Sequence, residues 1–118
     1  MKIWEKFMDV IEHTKGNITV VEPRGRIDSA TAKEFGERLS KLLHDGRSQI
    51  VIDLHSITYI SSAGFRQLLI AKRSMQDKEG RLALCGVSGE IKRLFDIGAF
   101  GELLPIYPTR EAGIAGVQ

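Results

Sequence analysis

The sequence predicts an α/β fold, one domain built on a mixed, mostly parallel sheet of four or five strands with helices packed against it. Three observations predict it. The run Ile50-Val51-Ile52-Asp53-Leu54 is apolar almost throughout, as in a strand covered on both faces. Strand-like runs alternate with helix-period segments in the order β-β-α-β-α-β-α-β-α, and such alternation makes neighbouring strands parallel. The chain has 118 residues, 42% hydrophobic and 27% charged, which is enough for one core with an ordinary globular balance.

In chain order, residues 1–7 form a lead-in. Met8–His13 and Asn17–Glu22 read as a hairpin turning at Lys15-Gly16-Asn17. Pro23 lacks an N–H and ends the second strand's ladder, and Gly25 to Asp28 then make a loop. Asp28, Ser29 and Thr31 can each cap the next helix, and Thr31 with Glu34 has capping-box spacing. That helix buries Ala32, Phe35, Leu39, Leu42 and Leu43 and stops at Asp45-Gly46.

After the central strand and a short connector, Ser61, Ser62 and Gly64 open a helix running to about Lys78. Phe65, Leu68 and Leu69 begin its apolar stripe, two positions being open for Phe65 at the first turn, half exposed or packed in the core, and Arg66, Lys72, Arg73 and Gln76 face solvent. Arg81–Cys85 is a further buried strand, and Gly86–Gly89 is a loop. Glu90–Ile97 is a helix with Ile91, Leu94 and Phe95 inward and Gly98 as its stop. Leu103–Tyr107 is a last strand. Pro108 and Thr109 open a weak helix that frays through Gly113 and Gly116.

This arrangement puts the carboxyl ends of the parallel strands at one edge of the sheet. Asp28 is therefore expected near Ser61 and Ser62, with the Gly86–Ser88 loop as their other neighbour. The serines also begin a helix, whose free amides and dipole favour negative charge by about 0.3–1 kcal/mol. Two readings are open. Ser61 and Ser62 are caps, or one of them accepts a phosphate, which would add about −1.5 to −2 charges at a place where the fold tolerates them.

Three ordered blocks resemble the STAS family, whose simplest members are bacterial anti-sigma factor antagonists. Asp53-Leu54 followed by Tyr59-Ile60-Ser61-Ser62-Ala63-Gly64-Phe65 is similar to its signature, an Asp-Leu, a spacer and an Asp-Ser-Ser/Ala-Gly segment. Gly25-Arg26-Ile27-Asp28-Ser29-Ala30-Thr31-Ala32 is similar to its Gly-x-Leu-Asp block. Leu84–Ser88 with Ile91–Asp96 is similar to its late strand and helix. The resemblance implies a STAS-like domain over residues 8–115, followed by a tail, 116–118.

The resemblance also implies a partner-switching role. An antagonist binds an anti-sigma factor that is itself a serine kinase, phosphorylation of the antagonist breaks that complex, and a phosphatase restores it. Carried over, Ser62 is the acceptor, with Ser61 the second choice and Gly64 the motif glycine. The motif's Asp is replaced by Ser61, and its second Ser or Thr by Ala63. The expected partner surface comprises Asp28, Ser29, Ser61, Ala63, Gly64, Phe65 and Arg66. The other reading is a STAS scaffold or transporter-complex subunit that is never phosphorylated.

Little points to an enzyme. His13, His44 and His55 show no catalytic or metal spacing. Gly86-Val87-Ser88-Gly89 is too short for a phosphate-binding loop. No cofactor or metal is expected. A net charge of +2 does not argue for nucleic acid or an anionic membrane. No apolar run approaches the roughly 20 residues of a membrane span, and MKIWEKFMDV has no signal-peptide core. The lone Cys85 excludes an internal disulfide and reads as core. A cytoplasmic location is the simplest expectation.

Overall fold

The computed structural model describes residues 8–87, 89–97 and 104–118. The element order is β1 (Asp9–Lys15), β2 (Ile18–Ile27), α1 (Ala32–His44), β3 (Gln49–Asp53), β4 (Ile57–Ile60), α2 (Ser62–Asp77), β5 (Arg81–Cys85), α3 (Gly89–Ile97), β6 (Ile106–Tyr107) and α4 (Arg110–Val117). The strands form one mixed sheet in the order β1-β2-β3-β5-β6, with β4 also paired to β2. Among the described residues only β1 is antiparallel to its neighbour; β2 pairs β3 and β4 in parallel, and β5 pairs β3 and β6 in parallel. The α/β class and the mixed, mostly parallel sheet are as expected from the sequence.

Several elements differ from expectation, beginning with the strands β4 and β2. The connector after β3 contains a further strand, β4, so the described residues hold six strands rather than four or five. Its four residues, Ile57-Thr58-Tyr59-Ile60, bury only the two isoleucines, and so short a run carries little periodic signal. The second difference is β2, which does not stop at Pro23. It pairs β3 through Thr19–Val21 and β4 through Gly25–Ile27, with a bulge at Gly25/Arg26. Pro23 falls between these two ladders, where a missing N–H costs least, and Gly25 supplies the positive φ of 97° at the bulge.

The sheet is covered on both faces. Ile50 and Ile52 of β3 and Leu82 and Leu84 of β5 pack with Phe35 and Leu39 of α1, Leu68 and Met75 of α2, and Ile91 and Phe95 of α3. The alternate residues Val51, Ala83 and Cys85 pack with Ile18 and Val20 beneath Ile114 and Val117 of α4. This last helix is docked rather than frayed: a Cβ added to Gly113 would lie 3.1 Å from Val51 Cγ1, so glycine lets it sit close on the sheet. Thr109 caps it by accepting from Ala112 N–H at 3.1 Å.

Within α3, Leu94 is exposed instead of inward, because Ile91 and Phe95 already fill the sheet-facing side. The final strand begins at Ile106, and Leu104 is buried outside it. Residues 1–7, Ser88, Gly98 and Leu103 lie outside the described residues.

Candidate functional site

The ends of β2 and β4 run side by side, with Ile27 paired to Ile60. Ser61 N–H donates to the Ile27 carbonyl at 2.8 Å, which ties the start of α2 to the turn leading into α1. In that turn Asp28 Oδ1 accepts from the backbone N–H groups of Ala30 at 2.9 Å and Thr31 at 3.1 Å. Burial pushes the Asp28 pKa up, but these bonds, the Thr31 hydroxyl and nearby Arg26 outweigh it, and the carboxyl is held below its ordinary range. Thr31 precedes α1 yet makes no side-chain cap, so the predicted capping box with Glu34 is absent. Its hydroxyl instead donates to the Arg26 carbonyl at 2.7 Å.

The two serines have separate positions. Ser61 is the N-cap of α2, and its hydroxyl accepts from Gly64 N–H at 3.2 Å. Ser62 is the first helical residue, is exposed, and among the described residues its hydroxyl has no hydrogen-bond partner. Behind them, a Cβ on Gly64 would lie 2.7 Å from both Ile27 Cγ2 and Ile60 Cγ1. Phe65 takes the core position of the two open to it: it is buried, and its ring meets Phe95 edge to face with centroids 4.7 Å apart.

A surface cleft of about 420 Å³ opens beside Ser62. Ser62, Ala63, Arg66 and Gln67 of α2 form one wall, and Ser29, Ala32 and Lys33 form the other. The predicted site residues therefore divide. Ser29, Ser62, Ala63 and Arg66 line the cleft, while Asp28, Ser61, Gly64 and Phe65 shape the backbone and core behind it. Lys33 is exposed on α1. The Gly86 turn does not line the cleft; a Cβ there would meet Asp53 Oδ1 at 2.5 Å and His55 Cβ at 2.9 Å. It adjoins the β3–β4 connection, because Cys85 at the end of β5 pairs with Asp53 at the end of β3.

Sequence reasoning missed a second polar cluster, on the α4 face of the sheet. Glu22 and Asp53 are both buried there. Arg110 bridges them, donating to Glu22 Oε1 at 2.6 Å and to Asp53 Oδ2 at 2.9 Å. Arg24 and the Ser56 hydroxyl donate to Glu22 Oε2 at 2.9 and 3.1 Å. Burial pushes the Glu22 pKa up, but the bonds from Arg24, Arg110 and Ser56 outweigh it and hold it at about 2. Asp53 is likewise lowered against its burial, by His55 N–H, Arg110 and the His55 ring.

Ligand atoms of Glu22, Asp53 and His55 lie within 4.8 Å of one another. Arg110 already supplies the cation these carboxylates need, so they do not make a metal site. Asp53, His55 and Ser56 also follow one another in hydrogen-bonded order, with His55 Nδ1 3.0 Å from Asp53 Oδ1 and Nε2 3.1 Å from Ser56 Oγ. The Ser56 oxygen thus stands between the His55 imidazole and the Glu22 carboxylate, 3.1 Å from each.

The sheet, the paired strand ends and the serine at the helix start define a domain class. Residues 10–113 match the STAS domain model, and the chain belongs to the STAS domain family. It is 32% identical over 95 residues to BtrV of Bordetella bronchiseptica, which bears the name anti-sigma factor antagonist; the match covers 80% of this chain and 82% of BtrV. The fold is similar to an anti-sigma factor antagonist from Mycobacterium paratuberculosis, with a TM-score of 0.88, 20% identity and 95% of each chain covered. It is also similar to Bacillus SpoIIAA in its phosphorylated form, with a TM-score of 0.70 and 19% identity over 94% of this chain and 99% of that one. Among the described residues, no helix is long and apolar enough to cross a membrane.

Proposed function

We propose that this chain is an anti-sigma factor antagonist in a partner-switching pathway, a cytoplasmic binding module rather than an enzyme. Its partner is an anti-sigma factor with serine kinase activity, and a cognate serine phosphatase resets it. The observation that carries this reading is the division of labour between the serines. Ser61 satisfies the helix cap, which leaves the Ser62 hydroxyl exposed and uncommitted at the rim of the cleft. BtrV's name supports the same class.

In the switching step, Ser62 Oγ attacks the γ-phosphorus of ATP held by the kinase. The Oγ–P bond forms, the bond to the ADP oxygen breaks, and the hydroxyl proton passes to a base on the kinase. The new dianion then faces a docking surface built around a hydroxyl. A penalty of several kcal/mol is reasonable there, and each 1.4 kcal/mol is about tenfold in affinity.

The test is recovery of the protein from its own cells, followed by phosphosite mapping and comparison of the wild type, Ser62→Ala and Ser62→Asp as baits. The expected result is phosphate on Ser62, with a partner kept by the wild type and Ser62→Ala but lost by Ser62→Asp. Equal retention by all three, with no phosphate found, would favour a constitutive scaffold.

A further inference from the structure

Resting on Ser62 as the acceptor, we propose that the chain holds the transferred phosphoryl group itself, between the Arg66 guanidinium and the Lys33 ammonium. Arg66 lies four residues after Ser62 on α2, so the two side chains share a helix face, with the anion on the N-terminal side and the cation on the C-terminal side. That is the favourable orientation for a charged pair on a helix. Lys33 reaches the same cleft from α1, so the two cations flank Ser62 from two elements.

Both cations are uncommitted: among the described residues, neither makes an ion pair or a hydrogen bond. Arg26, on the strand entering the same turn, differs. It stacks over the Tyr59 ring at 4.4 Å and approaches Asp28 at 3.6 Å. A cleft of about 420 Å³ has room for a phosphoryl group on the serine. The guanidinium can offer two parallel N–H donors to phosphate oxygens and the ammonium a point charge. Phosphorylation would then do two things at once. It adds a dianion to the docking surface and draws two exposed cations away from any partner they face.

The experiment installs phosphoserine at position 62 during translation, so no kinase is needed, and follows the phosphate by ³¹P NMR across pH. With both cations present, the second phosphate ionisation is expected about half a unit or more below its ordinary value of about 6. In Lys33→Gln/Arg66→Gln the helix start is unchanged, so return to the ordinary value isolates the side chains; raising salt to about 1 M should shrink the shift in the wild type. Identical titrations in the two proteins would overturn the clamp and leave Ser62 as the acceptor untouched. Phosphosite mapping that never finds Ser62 would overturn the acceptor reading, whatever the NMR shows.

Discussion

Arg110, the first residue of the last helix, donates to Asp53 at the end of the central strand at 2.9 Å, across 57 residues of sequence. The same guanidinium reaches Glu22, 88 residues away, at 2.6 Å. Two buried carboxylates on neighbouring strands thus share one cation, and that cation fixes where α4 begins on the sheet. The cluster lies on the opposite face of the sheet from the Ser62 cleft.

Arg110→Met should destabilise the fold by about 2–3 kcal/mol. Breaking a fully buried pair costs roughly 3–5 kcal/mol, and the Arg110 side chain is 31% exposed, which reduces the effect. Urea denaturation measures this. A loss below about 0.5 kcal/mol would mean that water already screens the bridge.

Acid should unfold the protein through the same cluster. Glu22 has an ordinary pKa of 4.5 and is held at about 2 when folded; Asp53 is also lowered. A carboxyl depressed by folding stabilises the protein above its unfolded pKa, and that contribution is lost as pH falls toward the folded one. Melting temperature should therefore vary little on these groups' account from about pH 7 to 5, then drop between about pH 4.5 and 2. The drop should be smaller in Arg110→Met.

Gly64→Ala and Gly36→Ala should part company. At Gly64 the new methyl meets Ile27 and Ile60 side chains at 2.7 Å in the core, and overpacking there costs about 1–3 kcal/mol. At Gly36 the obstacle is the Gln67 side-chain amide, which can swing away, so the helix-propensity gain of up to about 1 kcal/mol remains. Thermal melts of the two variants distinguish these outcomes.

Ser61→Ala should cost about 1 kcal/mol as a lost N-cap, with faster amide exchange in the first turn of α2. Ser62→Ala should cost almost nothing, because its hydroxyl makes no bond within the described chain. Equal costs would show that both serines support the helix.

The Cys85 thiol should resist alkylation until the protein unfolds. Burial, reinforced by the Asp53 carboxylate, pushes its pKa up to about 12, so almost no thiolate exists near neutral pH. Iodoacetamide labelling with and without denaturant reads this directly.

Periodicity and local chemistry determined a good deal by themselves. The near-continuous apolar run Ile50–Leu54 marks a strand buried on both faces, the stripe from Ala32 to Leu43 marks α1, and Ser61-Ser62 marks a helix start. Such signals are legible because each depends on residues a few positions apart. Tertiary structure alone decided the rest. Pairing of Ile27 with Ile60 brought Lys33 opposite Ser62 and Arg66. The buried positions of Glu22 and Asp53 each required a cation, yet nothing local could select Arg110 from 17 lysines and arginines. That choice follows from where α4 lands on the sheet, which is set by packing over the whole chain.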